Sequence, residues 1–229
     1  MKNIGIIVAM DKELALLLPL LEDSREVCIN NVVFHTGRLE DCNVVVLKCG
    51  IGKVNAAVAT LTLIESFHVC MVINTGVAGG TGAGAGILDV VIADRVAYHD
   101  VWCGPGTVDG QASGCPRFFE NPFDLKLFQS LRGVKFGLIA SGDIFVSRPE
   151  DIDRILRLYP DALAVDMESA AIAQVCYMKG VPFLVIRVVS DTPGADDNIS
   201  QYENFWEDAP RSTFEAMRSL LKCVKTLNI

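Results

Sequence analysis

The chain has 229 residues, of which 51% are hydrophobic and 21% are charged, and its formal net charge is −8. A chain of this length and apolar content can bury a full core without disulfides or metal ions. This excludes a disordered protein and predicts one domain over residues 1–229. The acidic balance excludes a nucleic-acid-binding protein, because neutralising a phosphate backbone takes clustered Lys and Arg.

The cysteines and the first residues indicate where the protein works. The eight cysteines form no Cys-x-x-Cys pair and have no zinc-type spacing, so we expect buried, reduced thiols and no metal site. The apolar run at residues 4–10 ends at Asp11-Lys12-Glu13, too early for a signal peptide or a membrane span. The sequence therefore predicts a cytoplasmic protein without a membrane partner.

Six short apolar runs have the length of buried strands, and several are rich in Val and Ile. In chain order they cover residues 4–9, 44–47, 71–74, 90–93, 136–139 and 183–189. Helical spacing begins at Lys53, with one apolar stripe, and recurs over residues 169–178 and 211–227. The stripe consists of Val54, Ala57, Val58, Leu61 and Ile64. Strands that alternate with helices predict an α/β protein with a central sheet.

Polar or glycine residues follow five of these runs. They are Glu13, residues 50–52, Thr75-Gly76, residues 141–143 and Ser190-Asp191. Because ligands bind at the carboxyl ends of the strands in such sheets, we expect these five turns to form one pocket.

Several of these segments also have a plain structural interpretation. Residues 50–53 lack the third glycine of a dinucleotide motif, so a tight strand-to-helix turn is favoured over a phosphate site. The small residues at 74–80 fit a close-packed turn as well as a close backbone approach to a ligand. The two acids within residues 165–169 suit a helix N-terminus. Asp191 suits a turn, although burial at the end of an apolar strand would raise its pKa.

Taken together, the segments resemble the 5′-methylthioadenosine/S-adenosylhomocysteine nucleosidases of the nucleoside phosphorylase superfamily. The matching residues are 4–13, 49–54, 73–80, 98–100, 114–116, 141–143, 165–168 and 187–191, in the family order. The resemblance implies a three-layer α/β/α fold with a central mixed β-sheet. It also implies a homodimer that hydrolyses 5′-methylthioadenosine and S-adenosylhomocysteine, with 5′-deoxyadenosine as a further candidate, and releases adenine without a cofactor or a metal ion.

The resemblance also implies which residues are catalytic. Asp191 would be the general acid, donating a proton to N7 of adenine and accepting from the 6-amino group. Glu13 would orient and deprotonate the attacking water, and Arg187 would lie near that water and pair with Glu13. Glu168 would accept from the ribose hydroxyls. The other substrate-binding residues implied are Met10, Ile51, Val77, Ala78, Gly79, Phe145, Val146, Met167, Ser190 and Tyr202.

Within that set, Phe145 would stack on the base and Met167 would pack under the sugar. Met10, Ile51 and Tyr202 would line the side of the pocket that takes the 5′ thioether.

The sequence departs from the family pattern in three places. Val77 stands where the family usually has Ser, and Asp166 replaces a Glu. Residues 101–114 also differ from the common family sequence. In the family this segment closes the 5′ pocket of the neighbouring subunit, so we expect residues 102–108 to reach into the partner's site.

Three alternatives to this nucleosidase remain open. They are a nucleoside phosphorylase of the same superfamily, a hydrolase of futalosine or aminofutalosine, and a catalytically inactive nucleoside-binding sensor. Glu13 repels phosphate and therefore disfavours a phosphorylase. The joint presence of Glu13, Glu168 and Asp191 disfavours the sensor. The sequence does not decide the preference among the nucleoside substrates.

Overall fold

The computed structural model describes residues 3–129 and 133–208, within which ten strands form one sheet. The strands are β1 (Asn3–Val8), β2 (Glu22–Ile29), β3 (Val32–Leu39), β4 (Cys42–Lys48), β5 (Met71–Gly80), β6 (Val90–Tyr98), β7 (Phe119–Glu120), β8 (Val134–Ser141), β9 (Ala162–Asp166) and β10 (Phe183–Asp191). The helices are α1 (Asp11–Leu17), α2 (Lys53–Phe67), α3 (Pro149–Leu158), α4 (Ser169–Lys179) and α5 (Asn198–Asp208). The helix predicted over residues 211–227 lies outside the described residues. None of the described helices combines the length and apolar content needed to cross a membrane.

The sheet is mixed, with the strand order β10-β6-β8-β9-β5-β1-β4-β3-β2. A further pairing between β10 and β5 closes β10, β6, β8, β9 and β5 into a ring. β1 runs parallel to β4 and β5, and β5 runs parallel to β10. The residues that follow β1, β4 and β10 therefore meet at one edge of the sheet, where the sequence predicts a pocket.

Apolar side chains cover both faces of this sheet. Val72 of β5 packs in one core with Leu63 of α2 and Ile172 of α4. The next residue, Ile73, points to the opposite face and packs in a second core with Leu17 of α1. On that same face α3 covers β6, β8 and β9. The helices thus form layers on both sides of the sheet, which confirms the three-layer α/β/α fold.

Most of the apolar stripe of α2 lies on the solvent side of the helix. Val54, Val58 and Leu61 are 73%, 50% and 37% exposed, whereas Ile64 at the end of the stripe is buried. The core side of the helix consists mainly of small residues such as Ala56 and Ala59, which allow it to pack closely against its neighbours. The hydrophobic spacing identified the helix correctly, but this chain leaves the first three turns of the stripe uncovered.

The structure also contains strands that the sequence analysis missed. β2 is exposed along almost its whole length at the edge of the sheet. It therefore has no apolar run and no alternation of apolar and polar residues that would indicate a strand. β9 has only five residues. Its four apolar residues run directly into the acidic segment within residues 165–169, so they do not form a separate apolar run of strand length. By contrast, five of the six predicted apolar runs lie within observed strands, and the first, residues 4–9, extends one residue beyond β1.

Candidate active site

A cavity of about 650 Å³, counted with its open mouth, lies where β1, β5 and β10 end. Its lining includes all fourteen residues that the sequence analysis proposed for catalysis or substrate binding. The remaining lining residues are Ala9, Ile144, Val165 and Asp166. The structure therefore brings the proposed residues together around one space, while the role of each remains a prediction.

Glu13 is held by backbone amides at the start of α1. Its Oε2 accepts from the N–H groups of Ala9 and Met10 at 2.8 and 2.9 Å, and its Oε1 accepts from Val77 N–H at 3.0 Å. A side chain at Gly76 would overlap with this carboxyl group, so the position needs glycine. Burial raises the pKa of Glu13, while the Arg187 charge and the three amides oppose that rise.

Arg187 lies in the fully buried centre of a polar network. Its Nε donates to Asp166 Oδ2 at 2.8 Å, and its Nη2 lies 2.6 Å from the same oxygen. Nη2 also donates to Asn74 Oδ1 at 2.6 Å and to Ser169 Oγ at 3.2 Å. The guanidinium is thereby fixed in one orientation, with its charge beside the cavity.

The expected pairing of Arg187 with Glu13 is corrected by this network. The carboxylates within ion-pair distance of Arg187 are Asp166 at 2.6 Å and, more weakly, Glu168 at 4.0 Å. Glu13 is already satisfied by three backbone donors, whereas Asp166 is the last residue of β9 and its side chain is as buried as that of the arginine. A buried charge needs a paired partner, and Asp166 supplies it. Arg187 acts on Glu13 through its charge at longer range.

Glu168 is positioned by the turn at residues 50–52. Its Oε1 accepts from Gly52 N–H at 2.9 Å, and the side chain is buried. Burial raises the pKa of Glu168 to about 7, the negative charge of Asp166 adds to the rise, and Arg187 opposes it. The glycine-rich turn therefore holds a carboxylate, which agrees with the structural interpretation of residues 50–53 as a strand-to-helix turn.

Asp191 is placed by an irregularity in β10. Val189 pairs with Ala78 of β5 and Asp191 pairs with Gly79, so Ser190 is an extra residue in the ladder. Both Ser190 and Asp191 line the cavity. Ser190 Oγ donates to Asp191 Oδ1 at 2.5 Å. Burial raises the pKa of Asp191, and its hydrogen-bond donors oppose the rise.

The mouth of the cavity is apolar and partly aromatic. The rings of Phe145 and Tyr202 meet edge to face, with centroids 5.6 Å apart. The Tyr202 hydroxyl donates to Met10 Sδ at 3.3 Å, and Ile51 is about half exposed beside them. These residues provide an apolar wall on the side where the sequence predicts a thioether.

The described residues contain no group of three or more His, Cys, Asp or Glu side chains that could hold a metal ion. The carboxylates of the cavity are bound by backbone N–H groups, two hydroxyls, an amide and one guanidinium.

With this geometry in hand, the chain can be compared with known proteins. Residues 3–225 match the family model of the phosphorylase superfamily. A 5′-methylthioadenosine/S-adenosylhomocysteine nucleosidase of Anoxybacillus flavithermus is 40% identical over 229 residues, covering 96% of this chain and 97% of the relative. The chain belongs to this nucleosidase family. A nucleosidase of the same name from Staphylococcus aureus is 40% identical over 225 residues, covering 95% and 98% of the two chains.

Solved nucleosidase structures have the same fold. That of Streptococcus pneumoniae in complex with 8-aminoadenine matches with a TM-score of 0.91 at 39% identity, covering 97% of this chain and 100% of that one. That of Neisseria meningitidis in complex with methylthio-immucillin-A matches with a TM-score of 0.90 at 36% identity, covering 99% and 100%. A nucleosidase from Colwellia psychrerythraea in complex with adenine also has a TM-score of 0.90 at 36% identity, covering 97% and 95%. The family and the fold predicted from the sequence are therefore confirmed.

The sequence analysis of this nucleosidase missed several residues that hold the site together. Asn74, Ser169 and Asp166 form the network around Arg187, and Asn198 contacts Asp191. A signal existed for Asn74 and Asp166, since both lie at the ends of apolar runs inside the matching segments 73–80 and 165–168. Asn198 gave no such signal, because it lies in a polar stretch far from any motif.

Proposed function

We propose that the protein hydrolyses the N-glycosidic bond of 5′-methylthioadenosine and S-adenosylhomocysteine, and releases adenine and the 5′-substituted ribose. 5′-Deoxyadenosine, which shares the base and the sugar, is a further candidate substrate. The observation that carries the proposal is a single cavity with a fixed carboxylate, Glu13, and a buried carboxyl, Asp191, each held by its own donors. Membership of the nucleosidase family supports it.

Hydrolysis of this bond passes through a cation-like sugar and needs two proton transfers. As the bond from C1′ to N9 breaks, a proton moves from Asp191 to N7, so that adenine leaves as a neutral base. As the new bond from water oxygen to C1′ forms, a proton moves from the water to Glu13. Glu13 must therefore be ionised and Asp191 must be protonated before the reaction.

Glu168 supplies the third contribution. It would accept hydrogen bonds from the ribose hydroxyls, and its negative charge would stabilise the positive charge that develops on the sugar. The Gly52 amide keeps the carboxylate in one place, so little reorganisation is needed during the reaction. Met167, which also lines the cavity, would pack under the sugar.

The charges around the cavity argue against the phosphorylase alternative. Among the described residues that line the cavity, Arg187 is the one cation, and its charge is paired with the equally buried Asp166. Phosphate would meet the three remaining acids, Glu13, Glu168 and Asp191, without an unpaired cation. Water carries no such penalty, so hydrolysis is favoured.

Adenine release from purified enzyme in phosphate-free buffer tests the proposal. We expect activity on 5′-methylthioadenosine and S-adenosylhomocysteine that is unchanged by a chelator, because the proposed chemistry uses no metal ion and no cofactor. A panel with 5′-deoxyadenosine and aminofutalosine ranks the substrates. Formation of ribose 1-phosphate that depends on added phosphate would refute the hydrolase assignment.

We further propose that the protein is a homodimer. Val54, Val58 and Leu61 on α2 are exposed apolar residues, and Trp102 in the loop after β6 is 63% exposed. The pairing of Lys53 with Asp100 at 2.8 Å ties the start of α2 to this loop. Exposed apolar side chains near a cavity are typical of an interface, and residues 102–108 would then reach the partner's site.

Light scattering tests the dimer. We expect twice the monomer mass, and we expect Val58→Asp to weaken the dimer while Val27→Asp, a half-exposed position on β2, leaves it intact. A monomeric wild type that stays active at nanomolar dilution would contradict the proposal.

The cysteines support a cytoplasmic location, which we propose on this basis. Cys28, Cys49, Cys103, Cys115 and Cys176 are free thiols in the described part of the chain. Thiols persist in a reducing compartment. Fractionation of cells that produce the protein, with the enzyme expected in the soluble cytoplasmic fraction, tests this location.

A further inference from the structure

Asn198 is a buried residue whose one described side-chain hydrogen bond goes to the proposed general acid. It is 2% exposed at the first turn of α5, and its Nδ2 donates to Asp191 Oδ2. Its other polar atom, Oδ1, is buried and has no partner among the described residues. The amide is therefore engaged at its N–H end, and that end contacts the carboxyl group.

The position of Asn198 at the start of a helix suggests a capping residue, but the contacts contradict this. A capping Asn accepts through its oxygen from a backbone N–H two or three residues later. Here Gln201 N–H bonds to the carbonyl of Asp197 at 2.9 Å, and Asn198 Oδ1 accepts no bond from the described residues. Helix capping thus does not account for the buried amide.

The pKa of Asp191 is shifted by burial and by neutral hydrogen-bond donors, and no charged side chain is among the causes. The other ionisable side chains of the cavity are Glu13, Asp166, Glu168, Arg187 and Tyr202, and the loop after Asp191 adds the exposed Asp196 and Asp197. Of these, Tyr202 has a pKa that the Asp191 charge helps to raise. The pKa of Asp191 itself is raised by burial and lowered by the donors Ser190 and Asn198.

We propose that Asn198 is a positioning residue for the general acid, which holds the Asp191 carboxyl group and stabilises the anion left when its proton passes to N7. The proposal rests on the proposed function. In the step concerned, the O–H bond of Asp191 breaks, the N7–H bond forms, and the electron pair stays on the carboxylate. A hydrogen bond to a charged group is stronger than one to a neutral group, so the Asn198 donor contributes more after the transfer than before it.

Ser190 complements this arrangement because its hydroxyl can rotate. Its Oγ lies 2.5 Å from Asp191 Oδ1 and 3.3 Å from the carbonyl oxygen of Ala78. When Asp191 is protonated, the hydroxyl can turn to Ala78 and free Oδ1 to accept from the 6-amino group. The amide of Asn198 has no such alternative among its described contacts, which makes it the fixed donor of the pair.

The test compares Asn198→Leu and Asn198→Asp with the control Gln201→Met. Gln201 anchors the same segment by accepting from Thr192 N–H at 2.8 Å, and it does not line the cavity. The measurement is the pH profile of kcat for adenine release. In Asn198→Leu the alkaline limb should move up by about one pH unit, and the plateau should fall roughly ten- to a hundredfold, as expected for a lost hydrogen bond to a charged group.

Asn198→Asp keeps the shape of the side chain but places a second carboxyl group beside Asp191. Like charges raise the pH at which the pair loses its proton, so the alkaline limb should again move up. Gln201→Met should keep the wild-type limb. The proposal is overturned if both Asn198 variants fold, as judged by circular dichroism, and retain the wild-type limb.

A second measurement reads the same group without turnover. Calorimetric titration with adenine over a pH series reports the protonation of Asp191, because the protonated carboxyl group donates to N7. Affinity in both Asn198 variants should persist to higher pH than in the wild type, and an unchanged pH dependence would contradict the proposal. A wild type that binds adenine but releases none from 5′-methylthioadenosine would instead refute the proposed function, while the adenine titration still decides the role of Asn198.

Discussion

The two ends of the cavity favour opposite protonation states of a buried carboxyl group, and they do so through different neighbouring groups. At the sugar end, Glu13, Asp166 and Glu168 surround the single guanidinium of Arg187. At the base end, Asp191 faces a hydroxyl and an amide. Burial raises the pKa of a carboxyl group at both ends, but a cation opposes the rise only at the sugar end.

This difference shows how one buried cavity can hold an ionised base and a protonated acid at the same pH. A cation and backbone amides favour the carboxylate form of Glu13. No cation is among the groups that oppose burial at Asp191, and this favours the protonated acid. Removing the distinguishing group of one end should leave the other end intact.

The largest expected effect is at the sugar end. Glu13→Gln keeps the shape of the side chain but removes the proton acceptor, so kcat for adenine release should fall roughly 10²- to 10⁴-fold. The exposed Glu22 on β2 provides the control, since Glu22→Gln should leave kcat unchanged. A rate for Glu13→Gln near that of the wild type would remove this residue from the mechanism.

The ion pair that fixes Arg187 should matter for stability. Asp166→Asn leaves the buried guanidinium without a full counter-charge, and we expect the free energy of unfolding to fall by about 3–5 kcal/mol in urea titrations. The control is Asp161→Asn, which breaks a more exposed pair with Arg95 and should cost less than about 1 kcal/mol. Equal losses of unfolding free energy in the two variants would show that burial does not make the ion pair more important for stability.

The base end should select 6-amino purines. A protonated Asp191 offers a donor to N7 and an acceptor to the 6-amino group, whereas a 6-oxo group would face that acceptor with another acceptor. We expect 5′-methylthioinosine to be cleaved roughly ten- to a hundredfold more slowly than 5′-methylthioadenosine. Asp191→Asn should release far less adenine, because an amide cannot deliver the proton. Equal rates of the wild type on the two nucleosides would contradict the assigned role.

The smallest expected effect is a pH dependence of stability at the sugar end. The pKa of Glu168 is about 7 in the folded protein, against an ordinary value of 4.5. The folded state therefore binds this proton more tightly, and its contribution to stability is complete below about pH 4.5 and is lost as the pH rises through about 7. The loss should be at most about 1.4 kcal/mol per pH unit, or roughly 3 kcal/mol over the whole range. Urea titrations over this range should show a shallower slope for Glu168→Gln, and parallel slopes would argue against the raised pKa.

The fold and the site differ in how far the sequence could predict them. Buried strands such as β5 and β10 are continuous apolar runs, so their existence follows from composition alone. The exposed β2 has no such pattern, and only its pairing with β3 makes it a strand. For α2 the spacing predicted the helix but not the face that would be covered, because the covered face consists largely of Ala and Thr, which do not stand out as an apolar stripe.

At the site, short motifs identified the residues that line the cavity, but not the partners that orient them. Arg187 was expected to pair with Glu13, because both were assigned to the same water. Its actual partner, Asp166, is set by the antiparallel register of β9 against β5, which motifs do not encode. Asn198 depends on how α5 folds back onto β10, a long-range packing event that a single sequence does not reveal.

The extra residue in β10 restricts how this gene can change. Deleting the one residue between Val189 and Asp191 would give a regular ladder against β5, but it would remove Ser190 and with it the hydroxyl that donates to the acid. Substitutions near Asp191 keep the bulge, whereas the loss of a single codon would remove the bulge and one donor of the acid at once. In descendants of this protein, length variation is therefore expected in surface loops such as residues 101–114, while the length of β10 stays constant.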